Sequence, residues 1–80
     1  TPQWKLIDND TQIERTFTFA SFQPAIDFIN QVAKIAEAEN HHPDIHLERF
    51  KRVCVVLSTH AISGLSENDF ILAAKIDALS

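Results

Sequence analysis

Four histidines and two carboxylates carry most of the chemistry this chain of 80 residues could perform. His41 and His42 are adjacent and followed by Pro43. Glu37 stands four residues before His41, His46 follows shortly, His60 stands alone, and Asp69 lies beyond it. An imidazole with an unperturbed pKa of about 6.5 can give or take a proton near neutral pH. His41 and His42 fall just past the end of a predicted helix, where backbone carbonyls favour a cation. Glu37 lies at i, i+4 from His41, a spacing at which a carboxylate can face an imidazole and fix its tautomer. His60 falls at the end of a predicted strand. Helix and strand ends that meet at a sheet rim make a cleft, and general acid–base work is the chemistry that such a set supports.

Other readings of the same residues stand beside this one. Histidines near helix ends can simply cap carbonyls. Asp69 lies three residues after Ser66, where it can be the reciprocal partner in a capping box. Glu37 can be one more exposed helix charge. Zinc could draw on His41, His42, His46 and His60 with Asp44. Adjacent histidines in an extended segment point to opposite sides, though, and no His-Glu-x-x-His or paired-cysteine pattern exists. One glycine, Gly64, rules out a glycine-rich phosphate loop. Ser58 and Ser63 lack a nucleophile-elbow context. Cys54 sits in the apolar run Val53–Leu57 and reads as a small core residue.

The elements that must position these residues follow from periodicity. Trp4–Ile7 reads as a short strand, and Asn9-Asp10 marks a turn. Ile13, Phe17 and Phe19 alternate with Glu14, Thr16 and Thr18, which predicts a half-buried strand over 13–19. Arg15 breaks the apolar face, so it either snorkels to the edge or pairs with an acid. Apolar residues from Phe22 to Ala36 recur at helical spacing. They predict a helix from Phe22 to about Glu39, with Ser21 as N-cap, Pro24 in the first turn, and Asn40 and Pro43 ending it. A strand over about Phe50–Thr59 has two apolar faces, as a central strand does. A short extended piece at Ile45–Leu47 adds to it. Ala61–Leu65 is a loop, and Ser66 opens a final helix that reaches Leu79.

The order strand, strand, helix, strand, helix favours an α+β fold, an antiparallel sheet with helices packed on one face. Length suits a single domain over residues 1–80. Apolar residues make up 45% of the chain, enough for a core, although so short a chain gains from oligomerisation. Seven basic against eleven acidic residues give a net charge of −4. The densest basic cluster, Arg49 with Lys51 and Arg52, is narrow for phosphate binding, so no direct nucleic-acid contact is expected. No stretch reaches the roughly 18 apolar residues of a membrane span, and no signal peptide is visible. The chain opens abruptly at Thr1-Pro2, as a trimmed N-terminus would. A single cysteine fits a reducing compartment. The expected location is the cytoplasm, with the nucleus open to a eukaryotic chain.

These residues also resemble a known family. Glu37-x-x-x-His41-His42-Pro43, the aromatic Phe50, then His60 and Asp69 at fixed spacings look like the signature of the pterin-4a-carbinolamine dehydratases. Trp4, Arg15-x-Phe17-x-Phe19, Phe22, Ala25, Phe28 and Val32-Ala33 resemble the family's first half. Leu57-Ser-Thr-His60 and Gly64-Leu-Ser-Glu-x-Asp69 resemble its second. The family's N-terminal helix is absent or trimmed, and Ile45 stands where many members carry an aromatic.

The resemblance implies a four-stranded antiparallel sheet, a homodimer or tetramer, and no metal or organic cofactor. It implies dehydration of 4a-hydroxytetrahydropterin to quinonoid dihydropterin, the step that recycles tetrahydrobiopterin after aromatic amino acid hydroxylation. His41 and His60 are then expected to be the acid–base pair. His42 is expected to orient the pterin, and Glu37 to set the His41 tautomer. Pro43, Thr59, Ala61 and Ile62 are expected to line the substrate site, with backbone from Thr59 to Ile62 bonding the pterin edge like a neighbouring strand. Asp69 is expected to orient His60 or to cap its helix. Relatives also act as protein partners, so the alternative is a non-catalytic binding module, of the transcription-factor dimerisation or Rubisco-assembly type.

Overall fold

The computed structural model describes residues 3–79. The expectation about Thr1-Pro2 lies outside the described residues. Among those residues the order is β1 (Lys5–Ile7), β2 (Gln12–Thr18), α1 (Phe22–Glu39), β3 (Asp44–Glu48), β4 (Arg52–Leu57), a 3-10 turn (His60–Ile62) and α2 (Glu67–Asp77). The four strands form one antiparallel sheet in the order β1-β2-β4-β3. This is the expected α+β architecture.

One face of the sheet carries the core. Ile13 and Phe17 of β2 with Val53, Val55 and Leu57 of β4 pack against Ala25, Phe28 and Val32 of α1 and against Leu72, Ala73 and Ile76 of α2. Both helices therefore cover the same face. Each fully buried Val, Leu or Ile contributes about 1.5–3 kcal/mol relative to exposure. Phe28 lies 4.6 Å from Phe17 and 5.1 Å from Phe19, centroid to centroid. Arg15 resolves into a pairing: its Nη1 donates to Asp77 Oδ1 at 2.6 Å while its guanidinium lies over the Phe17 ring. Trp4 Nε1 donates to the same carboxylate oxygen at 2.9 Å, which ties the first strand to the last helix.

Three details differ from expectation. The piece at Ile45–Leu47 is a full strand, β3, paired with β4 through Asp44↔Val56 to Glu48↔Arg52. The expected strand over 50–59 is thus shortened to 52–57, because Arg49 and Phe50 turn the chain in the left-handed region, at φ 49° and 54°. Ser21 holds the N-cap position of α1, but its hydroxyl makes no capping bond.

The end of α1 decides where the first two histidines go. Asn40 adopts φ 51°, ψ 42°. The His41 N–H then returns to the Ala36 carbonyl at 3.1 Å and the Asn40 N–H to that of Glu37 at 3.2 Å, the bond pattern of a Schellman motif. Asn tolerates this conformation because its short side chain bonds locally, whereas a β-branched residue does not. We expect Asn40→Gly to melt within a few degrees of wild type. Asn40→Val should lose about 1–2 kcal/mol, read as a lowered thermal midpoint. Equal midpoints for the two variants would refute this account of the helix end.

Candidate active site

His41 leaves the helix end pointing at the start of α2. Its Nε2 meets Asp69 Oδ1 at 2.6 Å. The imidazole remains 15% exposed while the Asp69 side chain is 0% exposed, so the histidine alone presents this pair to solvent. The second carboxylate oxygen, Oδ2, accepts from the Thr59 hydroxyl at 2.7 Å and from the Ser66 N–H at 2.9 Å. Thr59 Oγ1 also lies 2.7 Å from Ser66 Oγ. No buried side-chain nitrogen or oxygen among the described residues lacks a partner. Asp69 thus closes the capping box of α2 and anchors His41 at once.

Two expectations are corrected by this arrangement. Glu37 does not reach His41. It pairs with His42 Nε2, and both of those side chains are largely exposed. The i, i+4 argument required the helix to continue through His41, but the left-handed turn at Asn40 swings His41 away and brings His42 back over Glu37. Asp69, expected to orient His60 or to cap its helix, does cap α2, but it is fully buried and the imidazole it orients is that of His41 rather than His60.

His60 is exposed in the 3-10 turn that follows β4, and its ring makes no hydrogen bond within the described residues. It is fixed by its neighbour: Thr59, the residue before it, bonds Asp69. One carboxylate and one threonine therefore link the backbone of His60 to the ring of His41. Ala61 and Ile62 are exposed beside it, and Pro43 is half-buried at the start of β3.

The expected strand-like pterin edge also changes. The Thr59 N–H already donates to the Gly64 carbonyl at 2.7 Å, and the Thr59 carbonyl accepts from Ile62 and Gly64. The first N–H groups of a helical turn have no partner within it. Those of His60 and Ala61 are the ones left to face a ligand.

His46 lies apart on β3, opposite Cys54, and no group of three or more His, Cys, Asp or Glu side chains among the described residues converges as metal ligands do. Burial pushes the Cys54 thiol up, and the nearby Glu14 carboxylate adds to it. A thiol held protonated in this way is a poor nucleophile. The Thr59–Asp69 link was the part that sequence reasoning missed. A threonine just before His60 and a capping-box Asp were both visible, but nothing local joins them.

Fold and site together define a class: a small α+β domain with a histidine pair at the carboxyl end of its central strand, one member of the pair backed by a buried carboxylate. The family model described as pterin 4 alpha carbinolamine dehydratase matches residues 1–79. The chain belongs to that family. It is 53% identical over 78 residues to pterin-4-alpha-carbinolamine dehydratase 2, mitochondrial, of Arabidopsis thaliana, a match that covers 95% of this chain and 42% of that protein. It is 48% identical over 79 residues to a protein of Methylococcus capsulatus named for the same dehydratase, covering 99% of this chain and 68% of the other.

Among solved structures, a transcriptional coactivator/pterin dehydratase from Brucella melitensis superposes with a TM-score of 0.87 at 37% identity, over 95% of this chain and 80% of that one. A pterin dehydratase-like protein described as a RuBisCO assembly factor of the alpha-carboxysome shares the fold, with a TM-score of 0.81 at 23% identity, over 96% and 88% of the two chains. No helix among the described residues is long and apolar enough to cross a membrane.

Proposed function

We propose that this domain dehydrates 4a-hydroxytetrahydropterin, with His41 and His60 as its proton-transfer groups. The observation that carries the reading is the His41–Asp69 pair, a part-exposed imidazole held at 2.6 Å by a fully buried carboxylate. A helix cap alone has no need of an imidazole oriented in this way.

The reaction breaks the bond between C4a and its hydroxyl oxygen and forms a double bond between C4a and the adjacent ring nitrogen N5. One proton must reach the departing oxygen, which leaves as water, and one must leave N5. A protonated imidazole supplies the first and a neutral one accepts the second, so the pair ends with its proton count unchanged. Asp69 is a positioning residue: it holds the His41 ring in one orientation. His42, steadied by Glu37, faces the ring of the pterin, and the free N–H groups of His60 and Ala61 bond its polar edge. Pro43 and Ile62 complete the apolar surround.

The setting of this activity is part of the same proposal. The product suits the recycling of tetrahydrobiopterin, the assembly is a homodimer or tetramer, and the compartment is the cytoplasm, in keeping with a lone protonated cysteine. Stopped-flow absorbance on freshly generated carbinolamine tests the reading directly. We expect the purified chain to accelerate loss of the carbinolamine in proportion to its concentration. A rate equal to that of buffer would instead leave a binding module on the same fold, the kind of role that the coactivator description of the Brucella protein suggests.

A further inference from the structure

The hairpin that joins β3 to β4 ends in a feature that the dehydration does not use. Arg49, Phe50, Lys51 and Arg52 follow one another there and hold three of the chain's seven basic side chains. The Phe50 ring is 58% exposed. It belongs neither to the buried core of the described residues nor to the side chains packed against that core. The Lys51 ammonium lies 5.9 Å from the centre of the ring. β4 runs from this tip toward His60 over six residues, roughly 20 Å at the usual rise of a strand. The tip and His60 therefore stand at opposite ends of the sheet.

The backbone at the tip is unusual. Arg49 and Phe50 both take positive φ, 49° and 54°. Hairpins ordinarily meet that demand with Asn-Gly or Gly-Gly, and a bulky side chain there is an outlier. The conformation is nonetheless held. The Lys51 N–H donates to the Arg49 carbonyl at 2.7 Å, and the Phe19 N–H donates to the Lys51 carbonyl at 2.9 Å. Packing does not explain an aromatic kept exposed in a conformation that disfavours it. Strained residues of this kind gather at ligand clamps and other functional sites.

Charge selects the partner. Glu48 precedes the tip, and Arg52 engages it at 3.6 Å. Arg49 and Lys51 have no ion-pair partner among the described residues. Thr18, opposite Arg52, leads into α1, so Phe22 stands at the same end of the domain, 51% exposed in the first helical turn. That turn carries no acidic side chain, and Asp27, one turn further on, accepts from Gln23 at 2.8 Å. This end is thus apolar and cationic in a chain whose net charge is −4. An extended polyanion, a nucleic acid or an anionic membrane, would meet the remaining negative charge. A few carboxylates within a Debye length of about 8 Å meet mainly the local cations.

We propose that the β3–β4 hairpin tip docks a short acidic peptide segment of another protein, with Phe50 as the apolar anchor and Arg49 and Lys51 as partners of its carboxylates. The inference does not depend on the dehydratase reading, and a segment docked there leaves the histidine end open.

Fluorescence anisotropy with a labelled peptide of alternating glutamate and leucine tests this, beside the same peptide with serine in place of glutamate. The wild-type chain should bind the acidic peptide at least about fivefold more tightly than the neutral one, and less tightly as salt rises. Asparagine accepts positive φ, so Phe50→Asn and Arg49→Asn should melt at or above the wild-type midpoint. Phe50→Asn should nonetheless weaken the acidic peptide by about fivefold or more, as loss of an anchor does. Arg49→Asn/Lys51→Ala should weaken it by about threefold or more, as loss of two exposed charge pairs does. No binding by the wild type, unchanged affinity in Phe50→Asn, or a lower midpoint for that variant would overturn the assignment. Tighter binding to phosphatidylserine vesicles than to the peptide would overturn it in favour of a membrane. Self-association lost in Phe50→Asn, read by sedimentation, would overturn it in favour of a second copy of the chain.

Discussion

His41→Ala and His60→Ala each lower kcat for carbinolamine dehydration by about 10²–10⁴-fold, the range that one general acid or base contributes. The two variants should separate in stability. His60 is exposed and makes no side-chain hydrogen bond within the described residues, so its removal leaves the thermal midpoint near wild type. His41 is the partner of a buried carboxylate oxygen. Its loss strands that oxygen and costs about 1–3 kcal/mol. Groups that act as a unit are strongly non-additive, so the double variant should fall little below the poorer single one. Stopped-flow kinetics and thermal melts on the same preparations supply both readouts. Wild-type rates in both single variants would remove the acid–base assignment.

Asp69→Ala should produce the largest stability loss of any single change at the site, about 3–5 kcal/mol, the usual result of removing one partner of a buried pair. Three groups lose their acceptor together: the His41 ring, the Thr59 hydroxyl and the Ser66 N–H. In a domain of this size each kcal/mol moves the midpoint by about 4–8 °C, so the melt should shift by well over 10 °C. Asp69→Asn is the sharper probe. It keeps the shape and can still cap α2 through its amide oxygen, but it removes the charge behind His41. A folded Asn variant should show kcat reduced by at least about tenfold and an altered pH profile with KM little changed. An Asn variant with wild-type kcat at every pH would show Asp69 to be a helix cap and nothing more.

The sequence made the supporting elements plain where side-chain pattern and backbone demand agree. The helix from Phe22 to Glu39, the alternation along β2 and the Ser66–Asp69 start of α2 are of this kind. It showed β3 only as a short extended piece joined to the next strand, because the turn between them uses Arg49 and Phe50 at positive φ, with no Gly, Asn or Pro to mark it. An aromatic followed by basic and β-branched residues reads as continuous strand. The histidines were legible as a set, but their partners were not. A local rule paired Glu37 with His41, while the partner that counts is 28 residues away on another helix. Only the packing of α2 against the sheet brings Asp69 there.

The strand order β1-β2-β4-β3 has a kinetic consequence. The central pairing joins β2 to β4 across an intervening helix and a hairpin arm, so its loop must close before any of that contact is rewarded. Asp69 belongs to α2, the last element of the described chain. During synthesis both histidines would emerge ahead of the carboxylate that anchors one of them. No partly folded intermediate lacking α2 can hold the His41–Asp69 pair, so the gain of activity during refolding should follow the docking of that helix rather than the formation of the sheet.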